Sequence, residues 1–295
     1  MIKEIFYILS ASSFALGACI ASFLNVVIWR VPRGESIVFP PSHCPKCGKS
    51  IPWWMNVPIL SWLSLRGRCA FCKTAISPRY IIVETLGGIL FLGAFLHLFA
   101  GEAKAASLAA ESSFGFALPV LYLVVLWIWI ALMIAGSFID FDHKLLPDFT
   151  TVGGMVLGVA FWGVAGLSSK AYGFADFGKY IPLLFSISGL SFGFALMWLV
   201  RFLGTKAFKR EAMGLGDVYL MGAVGAMCGP VAVLVTLILS SVIGSVAGLS
   251  LVALSKTKFG RFIEIPYGPY ICAGCLAWIF YGPELVAWYC RLLAP

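Results

Sequence analysis

Two aspartates lie at the ends of strongly apolar segments, where an ionisable side chain is costly. Asp140 ends the apolar run 118–139, and Asp217 begins another. A charge at membrane depth costs several kcal/mol unless it faces a protein interior or a wet cavity. Two carboxylates held close together share a proton, so that one acts as general base on a water molecule and the other as general acid. The pair therefore predicts aspartic-protease chemistry.

Glycines surround the second carboxylate. Gly214 and Gly216 remove side chains beside Asp217, so we expect them to leave room for the approach of an extended substrate backbone. A simpler interpretation is that Asp217 only caps the helix that follows it. The presence of a second acid at membrane depth favours a functional pair over a lone cap.

The first acidic stretch contains three aspartates that are not equivalent. Asp140 continues the apolar helix, whereas Asp142 points roughly to the opposite helix face. Asp148 follows Pro147 and precedes another apolar run, which is the position of a helix cap. We therefore predict that Asp140, and not its neighbours, is the partner of Asp217.

The composition indicates that these acids are held by the helices of a membrane protein. The 295 residues are 61% hydrophobic and 12% charged, with a mean hydropathy of +0.96. This predicts an all-α polytopic membrane protein, with about eight transmembrane helices of roughly 20 apolar residues each. The candidate runs lie near 5–28, 80–100, 117–139, 149–167, 180–202, 213–229, 231–254 and 267–290. The sixth and seventh runs meet at Gly229 and Pro230, a helix-breaking turn.

The distribution of basic residues along the chain indicates how the helices are oriented in the membrane. Sixteen of the 21 lysines and arginines lie in alternate loops, at 30–79, 144, 201–210 and 256–261. With both termini outside, this distribution obeys the positive-inside rule, and both acidic motifs face the cytoplasm. The net charge of +8 is thus explained by the lipid bilayer, and we expect no nucleic-acid partner.

One soluble segment, 30–79, separates a first helix at 1–29 from a seven-helix domain at 80–295. It contains two C-x-x-C pairs with 21 residues between them: Cys44, Cys47, Cys69 and Cys72. Four thiolates in this spacing predict a structural zinc site with no open coordination position. Disulfides are the alternative, which a reducing cytoplasm disfavours.

Charged residues lie on both sides of the second cysteine pair. Gly67 and Arg68 precede it and offer a permissive backbone and a cation to an anionic ligand or to lipid headgroups. Glu84 is the carboxylate within the next apolar run, and either an ion pair with an arginine or a role in substrate approach would explain it.

Together these motifs resemble the type IV prepilin peptidases, over nearly the whole chain. The resemblance rests on Ser22-Phe23-Leu24-Asn25-Val26 with Arg30 and Pro32, on the four cysteines, on Ile139-Asp140 followed by Leu146-Pro147-Asp148, and on Gly214-Leu215-Gly216-Asp217. Unrelated sequences would rarely show all four features in this order.

The resemblance implies a membrane aspartic endopeptidase of the bacterial inner membrane with Asp140 and Asp217 as its catalytic residues. It would cleave the short basic leader of prepilins, and of the pseudopilins of type II secretion, after a glycine at the cytoplasmic face. It would then methylate the new N-terminal residue with S-adenosylmethionine. The resemblance also associates a glycine and a lysine before the second cysteine pair with methyl transfer, and it implies that Gly67 and Arg68, which stand there in this chain, bind the cofactor.

Two other classes of protein remain as alternatives. A proton- or cation-coupled transporter could use Asp140 and Asp217, although acids in transporters usually lie near the bilayer midplane. A zinc-containing membrane scaffold without activity would tolerate the loss of either aspartate.

Overall fold

The part of the chain that the structure describes is mainly helical. The computed structural model covers residues 2–100, 117–168, 180–211, 213–254 and 265–293. These ranges contain the helices α1 (Ile2–Arg30), α2 (Leu60–Ser64), α3 (Arg79–Phe99), α4 (Ala117–His143), α5 (Asp148–Ser168), α6 (Ile181–Phe208), α7 (Leu215–Leu254) and α8 (Gly268–Leu293). Two isolated β-bridges lie between α1 and α3. The predicted all-α class is confirmed.

Seven of these helices, all except α2, are long and apolar enough to cross a bilayer. They coincide with the predicted apolar runs, which confirms a multi-pass membrane protein. Several helices extend beyond the apolar runs that predicted them. Helix α4 continues to His143, so Asp140 lies in its last turn, in agreement with the prediction that it continues the apolar helix.

The sixth and seventh predicted runs lie in one element, α7, which turns back on itself at Gly229. Gly229 has φ 82° and ψ 177°, a conformation that residues with a side chain rarely adopt, and Pro230 follows it. A Cβ atom added to Gly193 of α6 would lie 2.5 Å from the Met221 carbonyl oxygen and 3.2 Å from a Val233 methyl group. In a straight helix, Met221 and Val233 would be about 18 Å apart. Helix α7 is therefore a hairpin, and its two arms correspond to two of the predicted helices.

The first arm of α7, residues 215–228, packs closely on α6. Gly189 of α6 and Gly225 are in backbone contact, so a side chain on either would overlap the other helix. Inside this contact, Ser186 Oγ donates a hydrogen bond of 2.7 Å to the Ala226 carbonyl oxygen. Close glycine contacts and hydroxyl-to-carbonyl bonds are typical of membrane helix pairs. They hold the beginning of α7 against its neighbour.

The described chain divides into two compact units. The first consists of residues 2–100 and 126–135, and its helices α1 and α3 pack along each other. Asn25 Nδ2 of α1 donates to the Tyr80 carbonyl oxygen of α3 at 3.4 Å. The soluble loop belongs to this unit, and it begins at Arg30, whose buried guanidinium donates to loop carbonyl groups.

The second unit consists of the described residues 117–125 and 136–293. It contains both acidic motifs. The predicted domain boundaries at 29/30 and 79/80 follow the membrane edges, whereas the compact units follow packing between helices. Helix α3 therefore groups with α1 and with residues 126–135 of α4, whereas Asp140 and Asp217 both lie in the second unit.

Candidate active site and metal centre

Asp140 lies in the last turn of α4 and is 6% exposed. The Lys144 N–H donates a hydrogen bond of 2.8 Å to the Asp140 carbonyl oxygen, and Lys144 has a φ of 52°. A left-handed residue in this position ends a helix. The carboxylate is therefore held at a helix end, whereas the ion sites of transporters usually lie near the middle of the membrane.

Asp217 lies in the first turn of α7 and is 9% exposed. Its carboxylate is close enough to that of Asp140 for the two to interact electrostatically. The tertiary structure thus brings the two predicted acids into one buried site, although they come from distant parts of the chain.

Leu146 packs between the two turns that carry this site. A Cβ atom added to Gly216 would lie 2.8 Å from Leu146 Cβ, and one added to Gly268 would lie 3.2 Å from Leu146 Cδ2. Gly216 precedes Asp217, and Gly268 contacts Asp140. The Leu146 side chain therefore fills the space between the turn that carries Asp217 and the turn whose Gly268 N–H binds Asp140.

The two glycines before Asp217 have different surroundings. We expected both to leave room for a substrate, but Leu146 fills the space beside Gly216, so the missing side chain there serves packing. Among the described residues, a Cβ atom on Gly214 would meet only Asp217 Oδ2, at 3.7 Å, and the Gly216 nitrogen, at 4.0 Å. Approach of a substrate along Gly214 stays a prediction.

The backbone of Gly268 is a partner of Asp140 that the sequence analysis missed. Gly268 is the first residue of α8, and its N–H donates a buried hydrogen bond of 2.9 Å to Asp140 Oδ2. Almost every residue carries a backbone N–H, so residue type alone does not indicate such a contact. The only available signal was a glycine between Tyr267 and Pro269, at the beginning of an apolar run.

The other two aspartates of the first acidic stretch lie at the surface. Asp142 is exposed near the end of α4, and Asp148 is exposed in the first turn of α5. The position of Asp148 agrees with the predicted helix start. Both residues therefore provide matched controls for Asp140.

The four cysteines of the loop form a cluster that could hold a metal ion. Their sulfur atoms all lie within 4.8 Å of one another, and Cys44 Sγ lies 3.7 Å from Cys72 Sγ. A tetrahedral centre with metal–sulfur bonds of about 2.3 Å places its sulfurs about 3.8 Å apart. The arrangement therefore fits a four-thiolate metal site.

The two cysteine pairs have the same local backbone. The Gly48 N–H donates to the Cys44 carbonyl oxygen at 2.8 Å, and the Lys73 N–H donates to the Cys69 carbonyl oxygen at 3.0 Å. Both donors have a left-handed backbone, with φ of 68° at Gly48 and 57° at Lys73. Each pair is thus presented by one tight turn, and only the first turn has the glycine that this conformation favours.

The turns also favour deprotonated sulfur at two of the positions. Backbone hydrogen bonds, first among them that of Cys47, lower the pKa of the Cys44 thiol to about 6. The backbone of Cys72 contributes most to lowering the pKa of Cys69. At Cys72 a backbone hydrogen bond with Thr74 favours the thiolate, but burial and the neighbouring sulfurs outweigh it and raise the pKa to about 11. A bound cation would remove this repulsion between sulfurs.

Glu84 supports the backbone of the soluble loop. It is 7% exposed, and its Oε2 accepts a hydrogen bond of 2.8 Å from the Ile59 N–H. Ile59 has φ 64° and ψ −54°, which is a strained conformation for a β-branched residue. The carboxylate thus stabilises the turn that begins α2, an interaction that we did not predict.

Gly67 and Arg68 are part of the second cysteine turn. Gly67 has a φ of 64°, and a Cβ atom there would lie 2.8 Å from the Trp62 ring. Arg68 forms a β-bridge with Ala75, while its side chain is exposed. The glycine is therefore required by the loop structure, and the arginine side chain can reach a ligand.

Comparison with known proteins identifies the class. The family model described as "Bacterial Peptidase A24 N-terminal domain" matches residues 15–98, and that described as "Type IV leader peptidase family" matches residues 125–249. The chain belongs to the type IV leader peptidase family. It is an aspartic peptidase with N-methyltransferase activity, and the transporter alternative has no support.

Relatives extend over nearly the whole chain. A "Prepilin leader peptidase/N-methyltransferase" of Myxococcus xanthus is 36% identical over 287 residues, which are 96% of this chain and 75% of that protein. One from Pseudomonas putida is 32% identical, over 94% and 92% of the two chains. A "Type 4 prepilin-like proteins leader peptide-processing enzyme" of Escherichia coli O78:H11 is 34% identical, over 90% and 91%. No solved structure matches significantly.

Proposed function

We propose that the protein removes the leader of type IV prepilins and type II pseudopilins after a glycine and then methylates the new N-terminal residue. Asp140 and Asp217 are the catalytic pair in this proposal. The observation that carries it is one buried site in which two carboxylates from helix ends interact. The names of the relatives supply the substrate class.

In the proposed mechanism, one aspartate is ionised and the other is protonated. The ionised carboxylate takes a proton from a water molecule as it attacks the scissile carbonyl carbon, and the protonated one donates a hydrogen bond to the developing oxyanion. Gly268 binds Oδ2 of Asp140, which leaves Oδ1 available to the water or to Asp217. The open side of Gly214 is the proposed approach of the substrate backbone.

The position of the acids fits a substrate with a basic leader and an apolar helix. Sixteen of the 21 basic residues lie in alternate loops, and these include the two loops that adjoin Asp140 and Asp217. By the positive-inside rule this side is cytoplasmic, and a basic leader is retained there as well. In the bacterial inner membrane, the junction between leader and helix would lie at the depth of both aspartates.

We further propose that the four cysteines bind zinc and that S-adenosylmethionine is the methyl donor. Zinc would be structural, because four protein ligands leave no position for a substrate. Gly67 and Arg68 are proposed for methyl transfer, since the exposed Arg68 cation lies where the family has a lysine. Changing any one of the four cysteines to serine should release about one metal ion per chain, measured by elemental analysis.

The decisive experiment for cleavage uses purified protein, a prepilin and intact mass. Asp140→Asn and Asp217→Asn keep the size of each side chain but remove the shared proton, so both should reduce cleavage by orders of magnitude. The exposed residues Asp142 and Asp148 are the controls, and their asparagine variants should cut normally. Normal cleavage by both Asp140→Asn and Asp217→Asn would refute the catalytic assignment.

Methyl transfer is tested separately with a pilin peptide that already lacks its leader. Arg68→Ala should reduce methylation and leave prepilin cleavage intact, and Arg68→Lys should retain methylation because it keeps the cation. Arg66→Ala removes a nearby charge and is the matched control. Equal loss of both activities in Arg68→Ala would contradict a specific role in methyl transfer.

A further inference from the structure

The segment before α8 is tied to the second arm of α7, residues 230–254. Tyr267 Oη lies 2.7 Å from Ser240 Oγ and 3.3 Å from Ser241 Oγ. Ser240 is fully buried, whereas Ser241 is exposed. This contact joins α7 to the residue immediately before Gly268, whose N–H holds Asp140.

The direction of this hydrogen bond follows from the other partners of the serines. Ser240 Oγ donates to the Leu237 carbonyl oxygen at 3.1 Å, and Ser241 Oγ donates to the same oxygen at 2.7 Å. A serine hydroxyl has a single hydrogen to donate. Donation from the Tyr267 hydroxyl to Ser240 Oγ gives all three hydroxyl hydrogens an acceptor, and Ser241 Oγ is a second, more distant acceptor for Tyr267.

Tyr267 also begins helix α8. Its carbonyl oxygen accepts hydrogen bonds from the N–H groups of Tyr270 and Ile271, at 3.1 and 3.2 Å. Pro269 has no N–H, so Gly268 carries the remaining free donor of this first turn. That donor is the one bound to Asp140 Oδ2. The position of the Tyr267 backbone thus determines where the Gly268 N–H points.

We propose that Tyr267 and Ser240 are positioning residues for Asp140, because their hydrogen bond fixes the turn that aims the Gly268 N–H at this carboxylate. The inference depends on the proposed catalytic role of Asp140. In this proposal, neither the Tyr267 hydroxyl nor the Ser240 hydroxyl contacts the substrate. Both residues act through the backbone of Gly268, so their loss should affect the rate of cleavage and not the binding of a prepilin.

The contact gives a graded set of variants. Tyr267→Phe removes the donor and keeps the ring that packs edge-on against Tyr270 at 6.5 Å. Ser240→Ala removes the main acceptor but leaves Ser241 as a weaker substitute. The double variant Ser240→Ala/Ser241→Ala removes both acceptors. Tyr270→Phe is the control, since it deletes the hydroxyl of the adjacent ring and leaves the contact between Tyr267 and Ser240 in place.

The experiment measures kcat and KM for prepilin cleavage by the full-length protein, together with methyl transfer to a peptide without a leader. We expect Tyr267→Phe and the double serine variant to lower kcat by a similar factor of about five, which is the usual effect of one neutral hydrogen bond. KM and methyl transfer should not change. Adding Tyr267→Phe to the double serine variant should cause no further loss, because all three substitutions remove one contact.

Three outcomes overturn the inference. They are an unchanged kcat in Tyr267→Phe, an effect confined to KM, and a parallel loss of cleavage and methyl transfer, which would indicate general destabilisation. Asp140→Asn is measured alongside. If Asp140→Asn cuts normally, the catalytic proposal itself fails. If Asp140→Asn is inactive while Tyr267→Phe has normal kcat, only the positioning role fails.

Discussion

Adding one methyl group at Gly268 should move the Asp140 carboxylate without removing it. The substitution therefore tests whether leader cleavage depends on the position of this carboxylate. The added Cβ atom of Gly268→Ala would lie 2.7 Å from Asp140 Oδ2 and 3.2 Å from Leu146 Cδ2. Gly268 is not among the glycines with a positive φ, so alanine is compatible with the backbone there. The effect of the substitution should come from the contact with the carboxylate.

The size of the effect follows from the displacement. Relief of the contact to an ordinary distance moves the Asp140 carboxylate by roughly 0.7 Å. Catalytic groups tolerate errors of about 0.5 Å, and an error of about 1 Å reduces rates by about a hundredfold. We therefore expect kcat for leader cleavage to fall between about tenfold and a hundredfold, which corresponds to about 1.4 to 2.8 kcal/mol in the barrier.

The assay is the initial rate of leader release, followed by intact mass. Methyl transfer to a peptide without a leader reports whether Gly268→Ala is folded. Gly153→Ala is the matched control, because no neighbouring atom of the described residues lies within 4 Å of a Cβ atom at that position of α5. The reasoning is refuted if Gly268→Ala has the kcat of the unmodified protein, or if Gly153→Ala loses as much activity.

Three further predictions concern the soluble loop and the α7 hairpin. Lys73→Gly should relieve a left-handed backbone and strengthen the proposed zinc binding by about 1 kcal/mol, whereas Gly48→Ala should weaken it by a similar amount, as measured by competition with a zinc chelator. Gly229→Ala should lower the stability by about 1 to 3 kcal/mol, seen in thermal unfolding in detergent, because its φ of 82° is unfavourable for alanine. Glu84→Gln should retain both activities, since an amide oxygen still accepts from Ile59, while Glu84→Ala should destabilise the loop by about 1 to 3 kcal/mol in the same unfolding assay. Loss of methylation in Glu84→Gln would indicate a role for the charge itself.

The class of the protein and its cluster of four cysteines could be predicted from sequence because both depend on short-range rules. An apolar run of about 20 residues forms a membrane helix wherever it occurs. The turn at Gly229 and Pro230 is likewise local, and the structure confirms it. The spacing within each C-x-x-C pair is determined by one tight turn, so the clustering of the four sulfurs followed from the sequence.

Asp140 and Asp217 were also recognisable as candidate functional residues, because a carboxylate in an apolar run is energetically costly and usually has a function. Their catalytic role remains a prediction. Their meeting in one buried site depends on how α4 and α7 pack, which only the tertiary structure decided.

The groups that contact Asp140, Glu84 and Gly216 could not be predicted from the sequence. Gly268 reaches Asp140 with a backbone N–H, a group that almost every residue possesses. Glu84 is satisfied by the N–H of Ile59 in the same way. Leu146 fills the space beside Gly216 because two distant turns converge there. Side-chain type and spacing indicate which residues have unusual chemistry, but only the folded chain determines which backbone groups and side chains come to lie against them.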